Sequence, residues 1–206
     1  MLVSNNPSER SKELLIILSA VPLGLLVISY LVLMRHYTVP SSSMMPSLHI
    51  GDFIFADRFR TSWHGSIVRG DIVVFKFGSV DYLKRVIGMP GETIQFRKGR
   101  VFIDGQPVVL ELLNERMDVS GNEARVQIET LSNGRSYRIL DVATTLGDET
   151  TEYFVPEGHY FVVGDNRDNS NDSRFGVGMV SAQAITGKAR AVVFNADGKT
   201  RFGLAL

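Results

Sequence analysis

The sequence contains no cysteine. That absence excludes disulfides, cysteine-ligated zinc and cysteine nucleophiles, while leaving every compartment open. Net charge is also lacking, because 22 Lys and Arg balance 22 Asp and Glu. A balanced chain gives no electrostatic reason to expect nucleic acid as a partner. Histidines are few, and His36, His49, His64 and His159 cluster nowhere along the chain. A Ser-His-Asp triad could be assembled only by the fold and has no local support. No H-E-x-x-H or G-x-S-x-G pattern occurs. Asp197-Gly198-Lys199-Thr200 ends like a P-loop, but Val193 stands where the first glycine belongs. Read as a calcium loop from Asp168, the chain offers Ser173 and Met179 in place of the required Gly and Glu. No metal or cofactor is therefore expected. Long amphipathic helices and internal repeats are missing as well.

What the sequence does possess is one long apolar run. Leu14 to Met34 is 21 residues without a charge. As a helix it would span about 31 Å, close to the hydrocarbon thickness of a bilayer. Pro22 and Gly24 disfavour a soluble helix, whereas transmembrane helices tolerate both. A cleaved signal peptide would have a shorter apolar segment and small residues at its end, where this chain has Met34-Arg35-His36. The run predicts an uncleaved anchor over 14–34. Arg10, Lys12 and the terminal amine precede it, against Arg35 alone close behind. That bias predicts a short cytoplasmic N-terminus, 1–13, with the remainder on the other side.

The remainder predicts β structure. Asp71 to Phe77 and Tyr82 to Ile87 have strand patterns, the second closed by Gly88-Met89-Pro90-Gly91, which suits a type II turn. Lys98-Gly99 and Asp104-Gly105 punctuate further short strands, and His159 to Val163 and Lys188 to Phe194 are later ones. Residues 105–155 are more polar and read as a second β lobe or a large insertion.

Three features carry chemistry. The first is Pro40-Ser41-Ser42-Ser43-Met44-Met45-Pro46, just past the apolar run, which is either a polar spacer or a source of a nucleophilic hydroxyl. A serine without a histidine can use a neutral lysine as base, and burial lowers a lysine pKa toward that state. The second feature is Lys84. Alternation puts Tyr82, Lys84 and Val86 on one strand face and Leu83, Arg85 and Ile87 on the other, so one cation is expected on the core side. Lysine tolerates neutralisation there and arginine does not. A solvated lysine whose stem covers apolar surface is the plainer alternative. The third feature, Gly164-Asp165-Asn166-Arg167-Asp168-Asn169-Ser170-Asn171-Asp172-Ser173-Arg174, has no apolar side chain. It is either a solvated loop or a buried polar network.

These segments resemble bacterial type I signal peptidases (leader peptidases). Pro40 to Leu48 is similar to that family's nucleophile box and Arg69 to Phe75 to its second box. Tyr82 to Glu92 resembles its lysine box, and Gly164 to Arg174 matches every specified position of its G-D-N-R-D-N-S-x-D-S-R box. All four stand in the family's order behind the apolar run. The resemblance covers the chain from the anchor to about Ala189 and is weakest over 105–155.

The resemblance implies a mainly β, membrane-anchored fold with one N-terminal transmembrane helix. A catalytic core over 35–104 and 156–206 would be joined by a smaller, less regular lobe over 105–155. It implies a Ser-Lys endopeptidase that removes signal peptides from exported preproteins, cutting after a small residue. Ser43 would be the nucleophile and Lys84 the general base, with the Ser43 amide and Ser41 hydroxyl as oxyanion hole. Ser170 would orient Lys84, and Asp172 and Arg174 would form a supporting salt bridge. Tyr37, Val39, Met44, Leu48, Tyr82 and Leu83 would line shallow substrate pockets. Implied partners are signal-peptide-bearing preproteins and the lipid bilayer, with secretion machinery as a further candidate. The implied location is the bacterial inner membrane, single-pass, with the catalytic domain outside the cytoplasm. Trp63 is either an interfacial anchor or an ordinary packed aromatic. Ser47 departs from the family's usual Thr, and residues 175–181 depart from its usual aromatic-rich loop. Two other readings are a processing peptidase dedicated to one conjugation or pilus precursor, and a non-enzymatic anchored β binding domain.

Overall fold

The computed structural model describes residues 12, 17–25, 34–57, 67–119, 121–195 and 204–205. The chain is mainly β. Strands along the first half are β1 (Met34–Thr38), β2 (Asp52–Asp57), β3 (Ile72–Phe77), β4 (Val80–Gly88), β5 (Thr93–Arg97), β6 (Arg100–Ile103) and β7 (Gln106–Pro107). There follow β8 (Val109–Val119), β9 (Asn122–Thr130), β10 (Ser136–Asp141), β11 (Tyr153–Phe154), β12 (His159–Val163), β13 (Val180–Ser181), β14 (Ile185–Asn195) and β15 (Leu204–Ala205).

The largest sheet runs β1-β2-β14-β3-β4-β12-β13, with β15 paired to β14. A second sheet, β11-β5-β6-β7, shares an apolar core with it, and β8, β9 and β10 make a separate three-stranded sheet. The segment 105–155 thus contributes most of its length to that third sheet, while β11 returns to pair with β5.

Sequence periodicity explains the layering. In β2 the burial alternates, with Asp52, Ile54 and Ala56 inward. Apolar Ile72 to Phe75 in β3 is buried throughout, as expected of a central strand covered on both faces. Strand β12 divides its side chains between two cores. Tyr160 and Val162 join Val73, Phe75 and Val86 in one, while Phe161 and Val163 join Ile87, Ile94 and Phe96 in the other. Because β12 is buried on both faces, the polar segment that follows it starts inside the molecule. The Met89-to-Glu92 turn is closed by the Glu92 N–H donating to the Met89 carbonyl at 3.2 Å, and Gly91 has φ +87°. That is the type II geometry the Pro-Gly pair predicts, since a β-carbon is strained at such a φ.

Residues 17–25 are helical and, apart from the half-buried Gly24, exposed. Among the described residues no helix is long and apolar enough to cross a membrane. Residues 14–16 and 26–33 of the expected anchor lie outside the described residues, as does Trp63.

Candidate active site

The serine segment bridges β1 and β2 and is pinned at both ends. Val39 N–H donates to the Asp52 carbonyl and Gly51 N–H to the Val39 carbonyl, both at 2.9 Å. A one-turn 3-10 helix, Ser42–Met44, follows. Met44 and Leu48 are buried with Val39, Ile54 and Ile72 and fix this turn onto the sheet. Ser43, between the buried Ser42 and Met44, is left at the rim of a cleft.

Lys84 approaches from β4. Its ammonium donates to Ser43 Oγ at 2.7 Å and to the Leu83 carbonyl at 3.0 Å. In the neutral form the direction of the first bond reverses, and the hydroxyl donates to the amine. Lys84 is only 4% exposed. Burial lowers its pKa from 10.5 to about 8, against the opposing pull of Asp172 and then Asp165. The alternation rule allotted one inward cation to this strand. The structure buries Arg85 as well, at 6% exposure, because β4 lies between β3 and β12 with both faces covered. Arg85 survives there through two bonds to Asp165, at 2.8 and 2.7 Å, and one to the Gly70 carbonyl at 2.7 Å.

Residues 164–174 form a buried polar network, the sharper of the two readings. Asp172 receives Arg174 Nε at 3.0 Å and Nη2 at 2.9 Å, and also accepts the Gly164 N–H at 3.0 Å. The loop also holds the serine segment from below. Asn166 N–H donates to the Ser43 carbonyl at 3.1 Å, and Asn166 Nδ2 to the Ser42 carbonyl at 3.2 Å. Asn169 Nδ2 donates to Ser42 Oγ at 2.8 Å. Ser42, to which the sequence assigned nothing, is therefore a fastening point. Asp165, Asn166 and Asn169 were missed as contributors. Their only signal in the sequence is membership of a stretch without apolar side chains.

Ser170 differs from expectation. Its hydroxyl is buried and has no hydrogen-bond partner, so it does not bond Lys84 here. It packs where Gly164 has no side chain: a β-carbon on Gly164 would stand 2.3 Å from Ser170 Oγ and 2.5 Å from the Ser43 carbonyl oxygen. Ser41 Oγ lies 3.2 Å from Ser43 Oγ.

Beside the pair opens a cleft of about 390 Å³, lined by Tyr37, Val39, Ser41, Ser43, Met44, Tyr82, Leu83 and Lys84 among others. Five of the six residues expected to line substrate pockets, Tyr37, Val39, Met44, Tyr82 and Leu83, line this cleft. Leu48 does not, because it is wholly buried in the cluster beneath, supporting Val39 and Met44. Largely apolar walls that present the Ser43 hydroxyl beside a lowered-pKa amine can bind small side chains and activate a nucleophile.

Residues 11–194 match the family model described as signal peptidase, peptidase S26. The signal peptidase I of Pseudomonas aeruginosa is 34% identical over 184 residues, covering 78% of this chain and 64% of its own. That of Bacillus amyloliquefaciens is 36% identical over 193 residues, covering 93% and 87%. The chain thus spans somewhat under two thirds of the Pseudomonas relative. The crystal structure of a signal peptidase I from Enterococcus faecalis V583 superimposes with a TM-score of 0.37 at 30% identity, over 60% of this chain and 96% of that one.

Proposed function

The chain belongs to the signal peptidase, peptidase S26, family, and on that premise we propose that it removes N-terminal signal peptides from exported preproteins. Cleavage follows a small residue of an A-x-A-like site. Ser43 Oγ attacks the scissile carbonyl while Lys84 takes its proton. The amide of Ser43 and the hydroxyl of Ser41 stabilise the oxyanion. Lys84 then returns the proton to the leaving amine, and water resolves the acyl-enzyme. Asp172 and Arg174 support the loop beneath the pair. Tyr37, Val39, Met44, Tyr82 and Leu83 receive the small side chains before the scissile bond. The observation that carries this reading is the 2.7 Å contact between Ser43 Oγ and a buried Lys84 amine at the edge of an apolar cleft.

The proposal includes a single-pass anchor in the bacterial inner membrane over the apolar run 14–34, ending one residue short of its expected limit because Met34 already belongs to β1, with the catalytic portion outside the cytoplasm. Its support is the length of the apolar run and the bias of flanking charge. Preproteins are held in the same bilayer, so tethering raises their effective concentration at Ser43. The division into a core, 35–104 and 156–206, and a lobe, 105–155, belongs to the same proposal. To test it, detergent-solubilised protein is incubated with an A-x-A precursor, wild type beside Ser43→Ala and Lys84→Ala. Cleavage by wild type and its loss in both variants is expected. Full activity in either variant would sink the Ser-Lys assignment.

A further inference from the structure

Two buried arginines that the mechanism leaves without a task converge on one carboxylate, Arg167 directly and Arg85 through the ring of Tyr137. Glu129, on β9 of the three-stranded sheet, is 1% exposed. It accepts Arg167 Nη1 at 2.9 Å and Nη2 at 2.7 Å. It also accepts the hydroxyl of Tyr137 on β10. The Tyr137 ring lies beneath the Arg85 guanidinium, 3.9 Å from centroid to Cζ, and Arg85 follows Lys84 on β4. On the other side, Arg167 belongs to the loop that carries Asp165 and Asp172. Its Nε donates to the Gly164 carbonyl at 3.2 Å, and its own carbonyl accepts Arg174 Nη2 at 2.6 Å. The loop that packs against Lys84 therefore ends on Glu129 directly through Arg167, and the strand that bears Lys84 reaches it through Arg85 and the Tyr137 ring.

Charge points the same way. Arg85, Arg167 and Arg174 are all buried, and so are Asp165, Asp172 and Glu129. Three cations meet three anions, so the cluster is neutral when Lys84 is uncharged. A carboxylate in a core is expensive, and apolar residues of like volume commonly serve stability as well or better. Simple packing therefore does not account for a carboxylate here, whereas aiming two arginines does.

We propose that Glu129 is a positioning residue for the Ser-Lys pair, locking the 164–174 loop against β4 so that Lys84 stays dry and directed at Ser43. The inference rests on the peptidase reading given above. It assigns the three-stranded sheet a part in the reaction, although none of its residues touches the cleft. Lys84 is faced by Asp172 and Asp165 from the loop, by Tyr82 on its own strand and by Ser43. Arg85 adjoins it with its side chain on the opposite face. Glu129 acts through the placement of the two loop carboxylates and not by its own charge on Lys84.

The test is precursor cleavage by the detergent-solubilised full chain from pH 7 to 10.5, for wild type, Ser43→Ala, Glu129→Gln and Tyr137→Phe. Wild-type cleavage that Ser43→Ala abolishes establishes the underlying reading. No wild-type cleavage removes both that reading and this one. With the reading established, Glu129→Gln should lower kcat roughly tenfold or more and change KM less than about twofold, since misaligned reacting groups lose rate before binding. Its acidic limb should also move to higher pH, because a loosened loop admits water to Lys84. Tyr137→Phe keeps the ring under Arg85 and removes only the hydroxyl, so the same pattern should appear at about threefold. A kcat within about twofold of wild type and an unshifted limb in both variants would overturn the proposal, whatever their melting temperatures. Should Glu129→Gln fail to fold, Tyr137→Phe decides by the same two readouts.

Discussion

A lysine stored as a base weakens the fold that stores it, and Lys84 allows the effect to be measured. Its pKa falls from 10.5 in the unfolded chain to about 8 in the folded one, chiefly through burial. That gap, at about 1.4 kcal/mol per pH unit, amounts to roughly 3 kcal/mol. The folded state binds this proton less readily, so stability rises with pH between about 8 and 10.5. Below that window the whole penalty is present, and above it none remains. Lys84→Met keeps the length of the side chain and removes the charge. It also removes the bonds to Ser43 Oγ and the Leu83 carbonyl, a loss of about 1 kcal/mol each. The variant should therefore be inactive yet more stable than wild type by about 1 kcal/mol at pH 7, and less stable by about 2 kcal/mol at pH 10.5. Denaturant unfolding of both proteins at the two pH values measures the difference, in which all other titrations cancel. A difference that does not change with pH would show that Lys84 keeps an ordinary pKa, and the reasoning would fall with it.

Three further outcomes follow from the same geometry. Cleavage should rise with pH along a limb near 8, set by Lys84, and substitution of His36, His49 or His159 should leave that limb in place; a limb lost with any of them would favour a triad. Gly164→Ala should lower cleavage by about a hundredfold, because its methyl would press on Ser170 Oγ and the Ser43 carbonyl; wild-type rates in that variant would refute the packing. Ser42→Ala gives up the bond from Asn169 and should lose about 1 kcal/mol of stability while retaining most cleavage. Abolition of cleavage there would mean that the nucleophile had been misassigned.

How much was legible depended on whether a signal is local. The strand read at His159 to Val163 coincides with β12, those read at 71–77 and 82–87 fall on β3 and β4 to within a residue or two, and the one read at 188–194 lies inside β14, which begins three residues earlier. Each combines apolar side chains with nearby turn residues, so period and boundary agree. The long hairpin of β8 and β9 escaped notice. Its outward positions carry Glu111, Glu115, Arg116 and Glu123, and exposed strands rich in charge look like loops.

The site was legible to a different degree in each of its parts. The hydroxyl and the base could be nominated because nucleophile chemistry restricts residue types, though only family resemblance singled out Ser43 from its neighbours. Partnerships between distant residues were beyond reach. Arg85 and Asp165 stand 80 positions apart, and nothing at either position names the other. Composition cannot distinguish a solvated loop from a buried network either, since both use the same polar side chains. What separates them is the strand before the loop. Had β12 been buried on one face only, Gly164 would emerge at the surface and its aspartates would meet water. With both faces covered, the chain enters the polar segment inside the core, where each charge must find a partner. The arginines of β4 and of the loop itself meet that requirement, and among the described residues Lys84 is left as a buried cation without a carboxylate in direct contact. An apolar setting that satisfies its neighbours and withholds a counter-ion from one amine is what lowers that amine toward a working base.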